Sequence, residues 1–203
     1  MSKAPTRKQH HHGDLRQALI EAGMALLAEG GPEALTLRRC AARAGVSHAA
    51  PAHHFDGLAG LRQAIAMEGF RIFRETMEAA AAAGPQTPRA RLRGVCAGYL
   101  EFAIRHPALF DLMFGFSASE LPPPRKDEQN SLAYQTLRQA CAPFVGPGQD
   151  PAAIESQVWS LVHGFATLYL SGRMRFNAGS AAPRARFDEV MALLDRIGTD
   201  PAA

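Results

Sequence analysis

The 203-residue sequence has little cysteine and no long uninterrupted apolar run. Its three cysteines, Cys40, Cys96 and Cys141, are scattered, odd in number and without a CxxC spacing. A disulfide framework or a structural zinc site is therefore not expected, and a reducing, cytoplasmic setting fits. No apolar stretch reaches the length that a membrane-spanning helix requires. The polar, basic N-terminus also lacks the apolar segment of a secretion signal.

Net positive charge is absent from most of the chain and is concentrated near its N-terminus. Residues 1–62 hold eight Lys and Arg against five Asp and Glu, so the whole net charge of +3 arises there. Six of the eight histidines lie in the same segment. An asymmetric basic end indicates a polyanionic partner, although a solvated basic surface would have the same composition.

Apolar residues recur every three or four positions through most of the chain, and alanine is abundant, which predicts an all-α fold. Glycines and prolines separate the helical segments, and residues 117–126 are predicted to form an exposed loop. The predicted helices cover roughly 14–29, 36–44, 47–55, 56–83, 88–105, 107–116, 127–142, 150–176 and 184–197.

Capping residues define several of the predicted helix starts. Asp14 and Gln17 resemble a capping box, and Ser47 is placed to cap the third helix. Asp150 and Pro151 provide an N-cap followed by proline at the first helical position. The helix that follows is apolar nearly all round, so it is expected to be buried on several faces.

Residues 36–55 read TLRRCAARAGVSHAAPAHHF, a pattern typical of a helix-turn-helix. The small Ala41 allows two helices to cross closely, and Gly45 adopts a left-handed turn conformation cheaply. Val46 is expected to fill the corner. The second helix of such a motif can lie in the major groove of DNA.

Arg38 and Arg39 lie in the first turn of a predicted helix. Positive charge there interacts unfavourably with the helix dipole, at a cost of about a few tenths of a kcal/mol. A bound phosphate would offset that cost, because Thr36 and free backbone N–H groups can hold an anion. A solvated arginine pair is the alternative. The predicted contacts to double-stranded operator DNA are Thr36, Arg38, Arg39, Ser47, His48, Ala49, His53 and His54.

Over residues 13–73, which include this motif, the sequence resembles the TetR/AcrR family of transcriptional regulators. In the C-terminal half, WSLVHG at 159–164 looks like the Trp/His-Gly motif of one class within that family. HPALF at 106–110 and LMF at 112–114 are similar to the same class. The resemblance implies a homodimer, an apolar effector pocket and, in most members, repression of transcription.

The sequence departs from the family pattern at two positions. The family often has a phosphate-contacting tyrosine two residues before the histidine of the His-Phe pair or next to it, whereas this chain has Ala52 and His53. A lysine commonly opens the next helix, where this chain has Leu58. His48 and His53 are candidates to replace the missing phosphate contacts. Pro51 lies near the start of the recognition helix, where proline costs less than in a helix interior.

The predicted organisation is a DNA-binding domain over 13–73, with its motif at 36–55, and a ligand-binding and dimerisation domain over 86–200. The helices near 150–176 and 184–197 are predicted to pair with those of a second chain in a four-helix interface. The two recognition helices would then lie about 34–36 Å apart. Aspartate at Leu168 or Leu194 is expected to give monomers.

A small apolar effector is predicted to bind among three helices of the second domain. The polar groups of Trp159 and His163 would then serve as anchors in an otherwise apolar cavity, with the 118–126 loop as its rim. A plain hydrophobic core would produce the same pattern. The predicted ligand-binding residues are Tyr99, Phe102, Phe110, Met113, Phe114, Trp159 and His163.

Three other interpretations remain open at this point. The His10–His12 run could bind a metal, but three consecutive histidines cannot all face one site from a helix, so no metal and no cofactor are predicted. His163 could act as a general base, but no nucleophile, carboxylate pair or phosphate loop accompanies it, so an enzyme is not expected. A ligand-binding dimer with weakened DNA recognition would also fit Ala52 and Leu58.

Overall fold

The computed structural model describes residues 12–115, 129–174 and 183–197. All regular structure in these ranges is helical, as the sequence predicted. None of the helices in these ranges is long and apolar enough to cross a membrane. The elements are α1 (His12–Ala34), α2 (Leu37–Arg43), α3 (Gly57–Ala82), α4 (Pro88–Arg105), α5 (Pro107–Phe114), α6 (Gln129–Cys141), α7 (Pro151–Leu170) and α8 (Pro183–Met191), with 3₁₀-helices at Ala50–His53, Ala142–Phe144 and Ala192–Arg196.

The chain divides into two compact units, and the division falls inside α3. The first unit ends at Glu68 and the second begins at Gly69. The later turns of α3 belong to the second unit because their aromatic face packs on α4, where Phe73 contacts Tyr99 and Phe102 at ring centroid distances of 4.7 and 5.0 Å. One continuous helix therefore contributes to both units.

The first unit packs α1, α2 and the start of α3 around a small apolar core. Leu19, Ala41, Leu61 and Ile65 are completely buried in it. The long helical segment of α1 is interrupted at Gly31, which has φ +66° and is followed by Pro32. This interruption confirms the predicted end of the first helix.

The start of α1 differs from the prediction. The helix begins at His12, so Asp14 lies inside its first turn rather than at its cap. The side-chain amide of Gln17 donates to Oε1 of Glu21, 3.2 Å away, one turn further along the helix. The expected capping-box pair of Asp14 and Gln17 is therefore wrong.

The turn after α2 has the predicted chemistry. Gly45 adopts φ +70°, and its N–H donates to the carbonyl of Ala42 at 3.2 Å. The next N–H, that of Val46, donates to the carbonyl of Ala41 at 3.0 Å. This pair of bonds is a Schellman motif, in which a left-handed glycine ends the helix.

The third helix of the motif is shorter and tighter than the sequence predicted. It is a four-residue 3₁₀-helix, Ala50–His53, and not an α-helix from Ser47 to Phe55. Ala49 occupies the N-cap position without a side-chain hydrogen bond, so Ser47 does not cap it. Pro51 has no N–H to donate to a residue four positions earlier, and the preceding bond, from Ala50 N–H to the Ser47 carbonyl, spans only three.

The second unit is built on α4, whose small and apolar residues contact neighbours on several sides. Leu92, Val95, Cys96, Tyr99, Phe102 and Ala103 are all buried. Two glycines allow α4 to approach α3 closely. A Cβ added at Gly94 would lie 2.7 Å from Cα of Ala81, and one at Gly98 would lie 2.6 Å from Cα of Met77.

Helix α7 begins as predicted but ends earlier. The carboxylate of Asp150 accepts the N–H of Ala152 at 3.0 Å, and Pro151 occupies the first turn. The helix ends at Leu170, not near residue 176. Gly172, with φ +66°, terminates it, because the N–H groups of Gly172 and Arg173 donate to carbonyls of the last turn.

The segment 183–197 is fastened to α4 by two arginines. The guanidinium of Arg89 donates to the carbonyls of Leu194 and Ile197 at 2.5 and 3.3 Å. Arg93 forms a bidentate ion pair with Asp195. Leu194 itself is completely buried within its own chain. The expectation that aspartate at Leu194 would only separate protomers is therefore wrong, since this residue belongs to the core.

Candidate nucleic-acid interface and effector site

The structure leaves most of the predicted DNA-contacting side chains at the surface of the first unit. Val46 is half-buried at the corner of the turn, as expected, and His54 is also half-buried. The His54 ring lies against that of Phe55, with ring centroids 6.4 Å apart. His54 is therefore less available to DNA than the sequence predicted. The exposed members of the predicted set are Thr36, Arg38, Arg39, Ser47, His48, Ala49 and His53.

Thr36 has a structural role that limits what it can offer to a phosphate. Its Oγ1 accepts the backbone N–H of Arg39 at 3.2 Å and so caps α2. One N–H group that the sequence assigned to an anion is thus already satisfied. The Thr36 hydroxyl hydrogen remains available as a donor.

The three arginines of α2 differ in their surroundings. Arg43 donates to both carboxylate oxygens of Glu29 on α1, at 2.6 and 2.5 Å. This hydrogen bonding from Arg43 holds the pKa of Glu29 below its ordinary value. Arg38 and Arg39 are exposed and form no ion pair with another residue in the described ranges. Their positive charge is therefore not neutralised by direct pairing.

Aromatic side chains from four helices of the second unit meet around His163. Its ring lies 4.9 Å from that of Phe114, 5.6 Å from that of Phe110 and 6.3 Å from those of Tyr99 and Trp159, measured between centroids. Phe73 of α3 lies against Tyr99, with ring centroids 4.7 Å apart. We call these six residues the aromatic cluster.

Two hydrogen bonds meet at the hydroxyl group of Tyr99. The indole N–H of Trp159 donates to it at 3.3 Å, and it lies 2.8 Å from Nδ1 of His163. The hydroxyl is buried, so its own hydrogen needs an acceptor. Donation to His163 Nδ1 provides that acceptor and places the imidazole hydrogen on Nε2. Tyr99 therefore forms a hydrogen bond with each of the two side chains that the sequence assigned to ligand anchoring.

Burial shifts the pKa values of both His163 and Tyr99. It lowers the pKa of His163 below the ordinary histidine value, so the neutral imidazole is favoured. Burial also raises the pKa of Tyr99 well above that of a free phenol. Nε2 of His163 has no hydrogen-bond partner in the described part of the chain, so one donor in the cluster remains for an additional group.

Two of the predicted ligand-binding residues pack against neighbours other than His163. Phe102 is completely buried, with its ring beside those of Phe73 and His106. Met113 packs against α3 at Gly69, where an added Cβ would meet its Sδ at 2.6 Å. The structure therefore brings together Tyr99, Phe110, Phe114, Trp159 and His163 but makes Phe102 and Met113 part of the surrounding core. The predicted 118–126 rim lies outside the described residues.

The sequence analysis missed a polar group beside the cluster. Glu155 is buried, yet it accepts from Tyr134 Oη at 2.5 Å and from Arg138 Nε at 3.2 Å. The Tyr134 ring lies 5.8 Å from that of Trp159, and its bond to the carboxylate raises the pKa of Tyr134 to about 12. A groove of about 400 Å³ runs beside Arg138 and Glu155. The four-residue spacing of Tyr134 and Arg138 on α6 was the only available signal.

Within the described ranges, no group of three or more His, Cys, Asp or Glu side chains is arranged to hold a metal ion. The side chains of the His10–His12 run lie outside those ranges. Cys40, Cys96 and Cys141 are all unpaired and buried.

Two family profiles match the chain. The profile described as "Bacterial regulatory proteins, tetR family" matches residues 19–65. The profile described as "Tetracyclin repressor-like, C-terminal domain" matches residues 92–194, about half of the chain. The second match does not distinguish the Trp/His-Gly class, which stays a prediction.

Curated relatives and solved structures agree with the profiles. The HTH-type transcriptional regulator BetI of Yersinia pestis (strain Pestoides F) is 32% identical over 134 residues, a match that spans 64% of this chain and 66% of the relative. A Rhodococcus sp. RHA1 protein of unknown function superposes with a TM-score of 0.73 at 28% identity, covering 95% of this chain and 100% of that one.

More distant structures share the fold. A TetR family transcription regulator from Marinobacter aquaeolei VT8 has a TM-score of 0.64 at 18% identity, covering 91% of this chain and 95% of its own. The multidrug binding protein EbrR has a TM-score of 0.66 at 18% identity, covering 98% and 100%. The profile matches indicate a regulator and not an enzyme, so the general-base interpretation of His163 has no support. The chain belongs to the TetR family of bacterial regulatory proteins.

Proposed function

We propose that this chain is a cytoplasmic, DNA-binding transcriptional repressor that acts as a homodimer and responds to a small apolar effector. The observation that carries the proposal is the exposed polar surface of residues 36–53, in a unit whose sequence matches the regulatory family. Arg38 and Arg39 supply charge for phosphate contacts. Ser47 supplies a donor and an acceptor for base edges, and Ala49 supplies a methyl group. His48 and His53 lie where an imidazole can contact a phosphate as well as a base edge.

The proposed dimer uses the outer face of α7. Ser160, Gly164 and Leu168 recur at four-residue spacing on that face, and a Cβ added at Gly164 would meet nothing within 4 Å. Leu168 is 44% exposed and Leu193, in the last 3₁₀-helix, is 49% exposed. Pairing with the same face of a second chain would remove these apolar groups from water, as in other symmetric helical dimers.

The proposed effector site is the aromatic cluster, with Nε2 of His163 as the donor to the ligand. The neutral imidazole and the surrounding rings favour an uncharged molecule, because a buried charge without a partner is costly. BetI and EbrR are a transcriptional regulator and a multidrug binding protein by name, which fits a regulator with a ligand site. Ligand contact with Tyr99 would act on α4, and the close seam at Gly94 and Gly98 would pass a displacement to α3.

Selection from random double-stranded DNA with the full chain tests the DNA-binding proposal. The expected product is a palindromic site, since two identical chains read two half-sites. A variant with Ser47→Ala and His48→Ala should lose about 1–3 kcal/mol of discrimination for each base-reading side chain removed. Recovery of no preferred sequence would contradict the proposal.

A specific observation favours a second candidate, a ligand-binding dimer with weakened DNA recognition. The reading element is a four-residue 3₁₀-helix, and the exposed residue near the start of α3 is Leu58. The same selection experiment separates the two. Weak binding without sequence enrichment, together with intact dimers in sedimentation, would support the second candidate.

The effector site is tested with Trp159→Ala and His163→Ala chains that still dimerise and bind the selected DNA. The effector identified with the wild-type chain should no longer release these variants from that DNA. A wild-type response from either variant would place the effector elsewhere.

A further inference from the structure

Two histidines flank the reading element and have nothing to bind within the described part of the protein. His48 lies just before the 3₁₀-helix, and His53 is its last residue. Both side chains are exposed. Neither imidazole has a hydrogen-bond, ionic or ring partner in the described ranges. All four ring nitrogens are therefore available to an external partner.

Permanent positive charge is limited in the same segment. Of the three arginines between residues 36 and 55, Arg43 is neutralised by Glu29, which leaves Arg38 and Arg39. The segment contains no lysine and no tyrosine. Any further cationic contact to DNA from this segment must come from histidine, whose charge changes between about pH 5 and 8.

We propose that His48 and His53 are titrating DNA contacts, so that the protein takes up protons when it binds duplex DNA. This inference rests on the proposed DNA-binding function. A phosphate close to an imidazole favours its charged form, so the bound state holds protons more tightly than the free state. Affinity for DNA must then rise as the pH falls through the range in which histidine titrates.

The charged groups on neighbouring elements are compatible with an affinity for DNA that rises as the pH falls. Arg43 and Glu29 form a closed pair, and the guanidinium of Arg16 lies 5.4 Å from the centre of the Phe55 ring. The hydrogen bonding between Arg43 and Glu29 lowers the pKa of Glu29 and raises that of Arg43, so this pair stays charged where histidine titrates. From Arg16 to Arg62, the charged residues and the remaining histidine are Arg16, Glu21, Glu29, Glu33, Arg38, Arg39, Arg43, His54, Asp56 and Arg62.

The second consequence concerns salt. Each phosphate neutralised by a cation makes the slope of log K against log salt more negative by about 0.9. If both imidazoles of each chain in a dimer become charged beside phosphates, the complex neutralises four additional phosphates. The slope should therefore be steeper by several times 0.9 at about pH 5.5 than at about pH 8.

The experiment measures fluorescence anisotropy of a labelled duplex, recovered by selection with the wild-type chain, across this pH range at several salt concentrations. The test variant is the double substitution H48N/H53N, which keeps polar donors but cannot acquire a charge. The comparison variant is H10N/H11N/H12N, which removes the three histidines of the His10–His12 run. Circular dichroism establishes that each variant is folded.

The expected result is that affinity and salt slope depend on pH in the wild-type chain and in the triple variant, and that H48N/H53N abolishes the dependence. A pH-independent slope in the wild-type chain would overturn the inference while leaving the proposed function intact. Loss of the dependence in the triple variant alone would also overturn it. Failure of the wild-type chain to bind any duplex would instead count against the proposed function.

Discussion

The two candidate sites treat their polar groups in opposite ways. At the reading element, Arg38, Arg39, His48 and His53 are exposed and lack partners in the described part of the chain. In the aromatic cluster, the hydroxyl of Tyr99 is hydrogen-bonded to both Trp159 and His163. The difference indicates that the polar groups of the first site are available to bind a charged partner. In the second site, Nε2 of His163 is the donor that remains for a ligand.

This contrast also concerns energetic cost. Exposed groups are little penalised for remaining unbonded to protein because water satisfies them. Buried groups must find partners inside the protein, and removal of a partner leaves a desolvated donor or acceptor. The same residue type, histidine, illustrates both situations at His53 and His163. Substitutions at the two sites should therefore have very different effects on stability.

The largest effect is expected where the sequence suggested an interface but the structure has a core. Leu194→Asp should lower the free energy of unfolding by more than about 4 kcal/mol, because it removes buried apolar atoms and buries a charge. The matched change Leu168→Asp, on an exposed face, should leave the fold intact and produce monomers. Urea unfolding and sedimentation distinguish these outcomes. A folded, monomeric Leu194→Asp protein would contradict the assignment of Leu194 to the core.

Removing one oxygen atom from the aromatic cluster should have the next largest effect. Tyr99→Phe leaves the indole N–H of Trp159 and Nδ1 of His163 without their shared partner. We expect a loss of about 1 kcal/mol in the free energy of unfolding, because Trp159 is 40% exposed and His163 is half-buried, so water replaces part of the lost bonding. His53→Ala at the exposed site should change it by less than about 0.5 kcal/mol. Similar losses in the two variants would contradict the difference between the aromatic cluster and the exposed reading element.

The smallest effect is expected from protonation of His163. Because its folded-state pKa lies below the ordinary histidine value, the folded protein favours the neutral form. Its contribution to stability is complete above the ordinary value and is lost as the pH falls towards the folded-state pKa. Trp159 is the only tryptophan, so its emission reports on the cluster. His163→Gln should remove this component from the pH dependence of unfolding, and an unchanged profile would contradict it.

The sequence predicted the elements that depend on local chemistry. Gly45 ended α2, Asp150 and Pro151 began α7, and Pro88 and Arg105 bounded α4, because caps and turns follow from single residues. It did not predict the 3₁₀ form of Ala50–His53, where the missing N–H of Pro51 outweighs the family pattern. It also extended α7 beyond Gly172, whose positive φ ends the helix.

The candidate site was harder to predict because periodicity does not distinguish an internal face from an interface. Leu194 and Leu168 both belong to apolar stripes, yet one is buried in its own chain and the other is exposed. The partner of a polar side chain is equally invisible in one sequence. The Tyr99 hydroxyl serves residues 60 and 64 positions away, a pairing that only the packing of α4 on α7 defines.

The most direct test of the central claim is the salt dependence of DNA binding by R38A/R39A, with Arg43→Ala as the control. Arg38 and Arg39 have no ion-pair partner in the described ranges, whereas Arg43 is paired with Glu29. The account predicts that the double variant binds the selected duplex more weakly and that its slope is less negative by about 0.9 for each phosphate that is no longer neutralised. Arg43→Ala should retain a slope close to wild type. An unchanged slope in the double variant would contradict the claim that these exposed arginines contact the DNA backbone.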